Sequence, residues 1–359
     1  MGGIYETVVR PRLFRRDAEE AHAKAVAALA RLSKSGWLCR LMAKRNQRNG
    51  SNPVMVAGVK FPNLVGLAAG MDKDGAFVPA SFAFGFGHVE VGTVTPEAQP
   101  GNPSPRLFRY PEDEALINRM GFNNEGVASM SSRLKALPPV GKRGGVVGVN
   151  LGKGRDTPLE RAVDDYLISL RVVHRYADYL TINVSSPNTE GLRDLQDGRL
   201  LEELLRAVRE ERDATAGERQ DRWLPIFVKI APDLSFREVD AVLEAIERSQ
   251  FDGVVATNTT VRRDPAYPGL VEAGGLSGRP LERVATERVR YIAGVTRGSL
   301  PIIGVGGILD ERGAGEKLDA GASLIQIYTG WVYRGPFFPR ELVRATRTYQ
   351  RALAGQALF

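Results

Sequence analysis

Eight short apolar runs, each followed by a stretch with helical spacing, restrict what this chain can fold into more than any other feature. The runs cover residues 64–68, 88–94, 146–151, 179–184, 226–230, 253–257, 301–305 and 323–328. Helical stretches follow at 76–84, 125–137, 159–176, 200–215, 236–249, 281–295, 310–320 and 339–353. The runs are apolar almost throughout rather than alternating, as expected of strands covered on both faces of a parallel sheet. Eight strand-helix units predict an α/β chain folded as a (β/α)8 barrel. A doubly wound open sheet is the alternative.

The polar residues favour the barrel, because they gather at the C-terminal ends of the runs, where barrel enzymes build their sites. They are found at 69–73, 93–95, 150–152, 183–188, Lys229, 257–259, 304–307 and 328–330. Lys229 stands inside Phe227-Val228-Lys229-Ile230. A lysine buried there needs a partner, either an internal salt bridge or a ligand. The stretch Thr181-Ile182-Asn183-Val184-Ser185-Ser186-Pro187-Asn188 runs from a strand into a turn. By itself it reads as an ordinary Ser-Pro-Asn turn, but it carries more hydrogen-bonding groups than a turn needs. Gly304-Val305-Gly306-Gly307 and Tyr328-Thr329-Gly330 end the last two runs. Barrels commonly hold a phosphate at that place on backbone N–H groups, so a phosphorylated cofactor or substrate is expected. No Gly-x-Gly-x-x-Gly follows an early strand and no Walker loop is present, which disfavours nicotinamide and nucleoside triphosphates.

Composition sets the remaining bounds. The 359 residues are 43% hydrophobic, enough for a full core. A single cysteine, Cys39, excludes an internal disulfide framework and a multi-cysteine metal site. The three histidines, His22, His88 and His174, form no His-x-x-x-His pair, so no metal is expected. Lysine and arginine exceed the acids by 49 to 42, and many of the cations crowd the N-terminal end. There, between Asp17 and Met42, apolar residues recur at helical spacing with Ser35-Gly36 interrupting, which predicts two amphipathic helices. They read equally as a cap on the main domain and as a surface lying on anionic lipid. Nothing accompanies the charge that would suit nucleic acid. No apolar stretch reaches the roughly eighteen residues of a membrane span, and the first residues lack the form of a secretory signal.

Five motifs resemble those of the dihydroorotate dehydrogenase family, in its quinone-dependent, membrane-associated class. They are Gly66-Leu67-Ala68-Ala69-Gly70-Met71-Asp72-Lys73-Asp74-Gly75, Asn118-Arg119-Met120-Gly121-Phe122-Asn123, Asn183-Val184-Ser185-Ser186-Pro187-Asn188-Thr189, Gly275-Leu276-Ser277-Gly278-Arg279-Pro280-Leu281 and Ile303-Gly304-Val305-Gly306-Gly307-Ile308. The resemblance runs from about residue 5 to about 338. It implies an FMN-dependent oxidation of (S)-dihydroorotate to orotate in pyrimidine synthesis, with electrons passed to a membrane quinone.

The resemblance also implies roles. Ser186 is the catalytic base, at a place where soluble members carry cysteine. Serine is a poor base by its own pKa, so it would work through a positioned proton path. FMN would be held by Ala69, Gly70, Met71, Asp72, Lys73, Thr93, Asn150, Asn183, Lys229, Thr257, Gly278, Gly307, Tyr328 and Thr329. Within that set Lys229 faces the flavin's pyrimidine edge, and Gly278, Gly307, Tyr328 and Thr329 hold its phosphate end. Orotate, planar and anionic, would meet Lys73, Asn118, Arg119, Met120, Gly121, Phe122, Asn183, Asn188, Asn258 and Thr259. Asn118 reads alternatively as a cap for a helix starting near Asn123. Residues 189–198 would form a lid.

The opening residues Tyr5, Val9-Arg10, Leu13-Phe14, Asp17 and Glu20-Ala21-His22 resemble the start of the membrane-associated class. A segment 1–46 would then lie on the membrane and guide quinone past His22, Arg109 and Tyr328 to a catalytic barrel spanning 47–359. With no presequence ahead of that motif, a peripheral enzyme on the cytoplasmic face of a bacterial inner membrane is expected. Two rivals are a soluble FMN barrel using fumarate or NAD, and a lipid-binding scaffold without turnover.

Overall fold

The computed structural model describes residues 2–48, 53–220 and 222–356. A helical lead over residues 2–14 precedes α1 (Ala18–Lys34) and α2 (Gly36–Arg48). The Asp17 carboxylate starts α1 by accepting from the backbone N–H groups of Glu19 and Glu20, which have no partner inside the helix. The two helices break at Ser35, where Ser-Gly interrupts the spacing. The helical spacing starts at Asp17 and does not predict the lead. Pro11 falls where the lead passes from the wider π-helical turn Tyr5–Val9 into the α-helical segment Arg10–Phe14.

Eight parallel strands close a barrel in chain order: β1 (Val65–Leu67), β2 (His88–Val94), β3 (Val146–Leu151), β4 (Tyr179–Asn183), β5 (Ile226–Ile230), β6 (Gly253–Ala256), β7 (Ile302–Val305) and β8 (Leu324–Ile327). Closure comes from Ile325 pairing with Val65. The helices α3 (Val78–Phe84), α4 (Val127–Lys135), α5 (Ala162–Val173), α6 (Gly198–Ala214), α7 (Phe236–Arg248), α8 (Glu282–Val295) and α9 (Glu311–Asp319) each follow a strand. The (β/α)8 expectation holds, and the open-sheet alternative does not.

Local chemistry explains the details. Ser235 and Glu238 form a reciprocal capping box at the start of α7, whose inner face buries Val239, Val242 and Ile246. A short helix, α10 (Thr329–Arg334), follows β8 directly, and the last helical stretch, expected over 339–353, is two pieces, α11 (Phe338–Ala345) and α12 (Arg347–Gln356). The break between the last two falls at Thr346, whose hydroxyl bonds back to the Leu342 carbonyl at 2.9 Å. Inside the barrel, Gly66 and Gly148 leave room for large neighbours. A Cβ on either would lie 2.0 Å from the ring of His88 or Tyr179 respectively.

Two small sheets are not evident in the sequence pattern. The hairpin Val54–Val56/Val59–Phe61 sets Phe61 against His88 and Tyr179, closing the N-terminal end of the barrel. At the other end Leu107–Tyr110, Ala115–Asn118 and Gly275–Gly278 form an antiparallel sheet. Strands this short carry almost no periodicity of their own.

Candidate active site

A cavity of about 1100 Å3, open mouth included, occupies the C-terminal ends of the strands. Its wall contains Ala69, Gly70 and Lys73 after β1, Thr93 in β2, and Asn183, Ser186 and Asn188 at and after β4. Lys229 reaches it from β5, and Thr257, Asn258 and Thr259 follow β6. Asn118, Met120, Gly121 and Phe122 enter from the small sheet and the turn after it, and Gly278 from its third strand. Gly307, Tyr328 and Thr329 complete the wall after β7 and β8. One enclosure therefore joins residues spread over the length of the chain.

Other expected residues stand behind or beside the wall. Met71 packs in the hydrophobic core. The Asp72 carboxylate accepts from the N–H groups of Ala76 and Phe77 at 2.7 and 2.9 Å, so it shapes the turn into α3; burial pushes its pKa up to about 6. Asn150 is fully buried and accepts at 3.0 Å from Asn183. Arg119 turns outward to pair with Glu272 at 2.8 Å. Arg109 stacks 4.5 Å over the Phe14 ring and donates to the carbonyls of Phe14 and Arg16, tying the small sheet to the N-terminal lead.

An amide web positions the polar wall. Asn183 donates to Thr93 at 2.9 Å and accepts from the Ser185 hydroxyl at 3.1 Å, while Asn258 donates to that hydroxyl at 3.0 Å. Asn188 donates to the Asn118 carbonyl oxygen at 3.1 Å. Asn118 therefore belongs to the wall and caps no helix; α4 begins only at Val127. Phe122 holds a left-handed backbone, φ 56°, uncommon for a bulky residue and suited to turning its ring into the cavity.

The barrel floor holds a carboxylate that the sequence reading missed. Glu90, fully buried in β2, accepts from Asn150 at 2.7 Å, from Gln326 at 3.0 Å and from Tyr179 and Thr181 at 3.2 Å each. Lys229 Nζ lies 4.0 Å from it. Burial pulls the lysine's pKa down, and Glu90 opposes that shift. The signal was present: an acid inside the run His88-Val89-Glu90-Val91 is as costly as a lysine inside Phe227-Val228-Lys229-Ile230.

Ser186 is nearly buried, and its Oγ accepts from the Asn188 N–H at 3.3 Å. The ordinary turn bond is thus made with Oγ as acceptor, and Ser186 still lines the cavity. Lys73 donates to Asn123 at 2.8 Å; burial, then the charge of Arg106, lower its pKa to about 8. His22 lies outside the wall but close enough to feel Lys73, and burial chiefly pushes its pKa down to about 4. Burial raises the Tyr328 phenol to about 12, so it stays neutral.

Residues 189–198 are tied down. Leu192 and Leu195 are buried, and Arg193 pairs with Asp233 at 2.9 Å while donating to the carbonyls of Ser185 and Thr259. The other side of the cavity suits a phosphorylated group. Gly306 and Gly307 have φ of 109° and 77°, and a Cβ on Gly307 would meet Glu282 Cα at 2.1 Å, so only backbone lines the cavity there. The Gln326 side-chain oxygen, buried at the cavity edge, has no hydrogen-bond partner among the described residues.

The comparisons agree with this architecture. The family model described as dihydroorotate dehydrogenase matches residues 52–347. A protein of Shewanella loihica named dihydroorotate dehydrogenase (quinone) is 48% identical over 96% of this chain and 99% of its own. The protein of the same name from Azotobacter vinelandii is 50% identical over 94% and 96%. Among solved structures, that of the Eimeria tenella enzyme in complex with ferulenol superposes with a TM-score of 0.81 at 35% identity, covering 94% of this chain and 92% of that one. With a barrel closed around Ser186 and Lys229 and a family match across most of its length, the chain belongs to the dihydroorotate dehydrogenase family.

Proposed function

We propose that the protein oxidises (S)-dihydroorotate to orotate in pyrimidine nucleotide biosynthesis, with FMN as its cofactor and a membrane quinone as electron acceptor. The observation that carries this reading is one cavity in which Ser186, a cationic wall at Lys73 and the buried Lys229 converge with a glycine-lined phosphate seat. Bound there, FMN supplies a hydride acceptor that quinone can reoxidise. Gly278, Gly307 and Thr329 would hold its phosphate end, and Lys229 would place positive charge where negative charge accumulates.

Each remaining residue has a task the geometry allows. Lys73 receives the substrate carboxylate, and the amides of Asn118, Asn183, Asn188 and Asn258 match the edges of a planar, amide-like ring. Ser186 takes the proton that leaves the carbon next to the one losing hydride. The clamped segment 189–198 keeps water from the reacting atoms. Asn150 supports Asn183 and Thr93 from behind, and Met71 and Asp72 shape the turn that presents Gly70 and Lys73.

Residues 1–46 form the quinone-side segment and 47–359 the catalytic domain. His22, Arg109 and Tyr328 mark the path between them. Among the described residues no helix is long and apolar enough to cross a membrane. Exposed Trp37 and Leu41 on α2, with Ile4 and Val8 on the lead, suit a peripheral contact with lipid. We place the protein on the cytoplasmic face of a bacterial inner membrane. The relatives' names favour quinone over fumarate or NAD as acceptor and turnover over a scaffold role. An anaerobic titration tests the proposal: dihydroorotate should bleach the bound flavin and a quinone should restore its colour. Equal reoxidation by fumarate or NAD would sink the acceptor assignment.

A further inference from the structure

A second cavity, about 1530 Å3 with its open mouth, lies at the opposite end of the barrel from Ser186. It is walled by the last turns of α2, by the segments entering β1 and β2, and by α11 with the start of α12. Four arginines reach it: Arg45 from α2, Arg340 and Arg344 from α11, and Arg347. Glu341 is the single carboxylate in the wall. Among the described residues no carboxylate lies within ion-pair distance of Arg45, Arg340 or Arg344.

Arg340 is the centre of the group. Its Nη2 donates to the Ala83 carbonyl at 2.9 Å and its guanidinium sits 4.9 Å from the Phe337 ring centroid, yet its buried Nε has no partner among the described residues. Arg45 and Arg344 share the wall with it, and their charges add to burial in disfavouring its own. Like charges brought together without a counter-ion repel, and a buried donor without an acceptor is costly. One anion between the guanidinium groups would relieve both conditions, and the planar fork of arginine fits phosphate oxygens in pairs.

We propose that this pocket is a binding site for a phosphate-bearing anion, independent of the catalytic cavity. The wall also carries apolar residues, Phe82 and Met42 among them, which suit a carbon body attached to the phosphate. Trp37 and Leu41, exposed on the same α2 helix, put an apolar surface beside the pocket. Two sources share this chemistry, a free phosphate and a phospholipid head group.

Calorimetric titration of the full-length holoenzyme tests the site, using inorganic phosphate, dihexanoyl phosphatidic acid below its micellar concentration, and dihexanoyl phosphatidylcholine, all at ionic strength fixed with sodium chloride. Saturable binding of phosphate or phosphatidate at one site per chain is expected, weakened roughly tenfold or more by Arg45→Glu with Arg344→Glu. Arg199→Glu, on the exposed face of α6, should change nothing. Phosphatidate binding at least about tenfold tighter than inorganic phosphate assigns a lipid head group, and equal affinities assign free phosphate. Absence of saturable binding by both phosphate probes, or unchanged affinity in the double variant, overturns the proposal. If the double variant does not yield folded flavoprotein, the exposed Arg344→Gln substitution is titrated instead, and an unchanged affinity there counts equally against the site.

Discussion

Lys229 and Glu90 face each other across the barrel floor at 4.0 Å, 5% and 0% exposed. This is the longest of Glu90's contacts; its four hydrogen bonds run from 2.7 to 3.2 Å. The carboxylate is therefore fixed by neutral donors, and the lysine keeps its reach into the cavity. The two readings open to a buried lysine, internal ion pair and ligand contact, are compatible: Glu90 offsets the cost of holding Lys229 where an anionic cofactor edge can meet it.

Replacing Glu90 by Gln keeps the shape but removes the counter-charge and turns an amide N–H2 toward groups that donate. Breaking one side of a buried pair costs on the order of 3 kcal/mol. Urea unfolding of Glu90→Gln should show a loss of about that size, and Glu90→Gln with Lys229→Met should recover part of it. A double variant no more stable than the single would mean that the pair is not coupled.

Ser186→Ala should retain flavin but slow its reduction by dihydroorotate on the order of 10²- to 10⁴-fold, the usual contribution of a positioned base. Anaerobic stopped flow measures it directly. The alanine also removes the bond from the Asn188 N–H, so orotate affinity should be followed in parallel; near-normal reduction would exclude Ser186 as the base.

Substrate binding should depend on pH through Lys73. Burial and Arg106 hold the free-enzyme pKa near 8, and only the protonated ammonium pairs with a carboxylate. Above about pH 8 the dissociation constant for orotate should therefore rise, approaching tenfold per pH unit, while below it the constant stays flat. Lys73→Gln should bind weakly at every pH with no inflection. Fluorescence titration of the holoenzyme across this range separates the two.

Deleting residues 1–46 should spare flavin reduction and abolish reoxidation by quinone. Ser33 accepts from the Ala80 N–H, and Asn46 donates to the Ala83 carbonyl, so the segment grips α3 but contributes no group to the catalytic cavity. The milder Arg109→Ala frees the lead at Phe14 and should raise the KM for quinone more than it lowers the rate of flavin reduction. Half-reactions measured separately decide the matter.

Arg193→Ala removes the ion pair to Asp233 and the bonds to Ser185 and Thr259 that hold residues 189–198 down. Faster orotate release, together with faster proteolysis within that segment, is expected. Unchanged release would mean that the segment is held by Leu192 and Leu195 alone.

The barrel was legible because its strands are apolar on both faces and its helices on one, patterns that local sequence carries. Lys229 stood out for the same reason, as a charge inside a strand. Glu90 was equally anomalous, but it touches no solvent-facing part of the cavity, and only the fold reveals that it stands opposite Lys229. Asp72 lies within a site motif yet points at the start of α3, because its carboxylate accepts from the N–H groups of Ala76 and Phe77, a local bond that the motif does not announce. The Asn118–Asn188 contact depends on the small sheet, whose four-residue strands pair across 157 residues, and no local spacing encodes such a partner. The clamp by Arg193 joins three separate loops and is hidden for the same reason.

That sheet also bears on the order of events during synthesis. Asn118 meets Gly275 only after the intervening residues have left the ribosome, and β8 must emerge later still before it can close against β1. Contacts so distant in sequence form late, after chain entropy has been lost over a long loop. The nascent protein consequently carries several apolar strands without a finished mouth, and the cavity is completed only among the last steps of folding. Any molecule that binds in that cavity therefore meets a nearly complete chain, and its binding energy falls on the strands that close last.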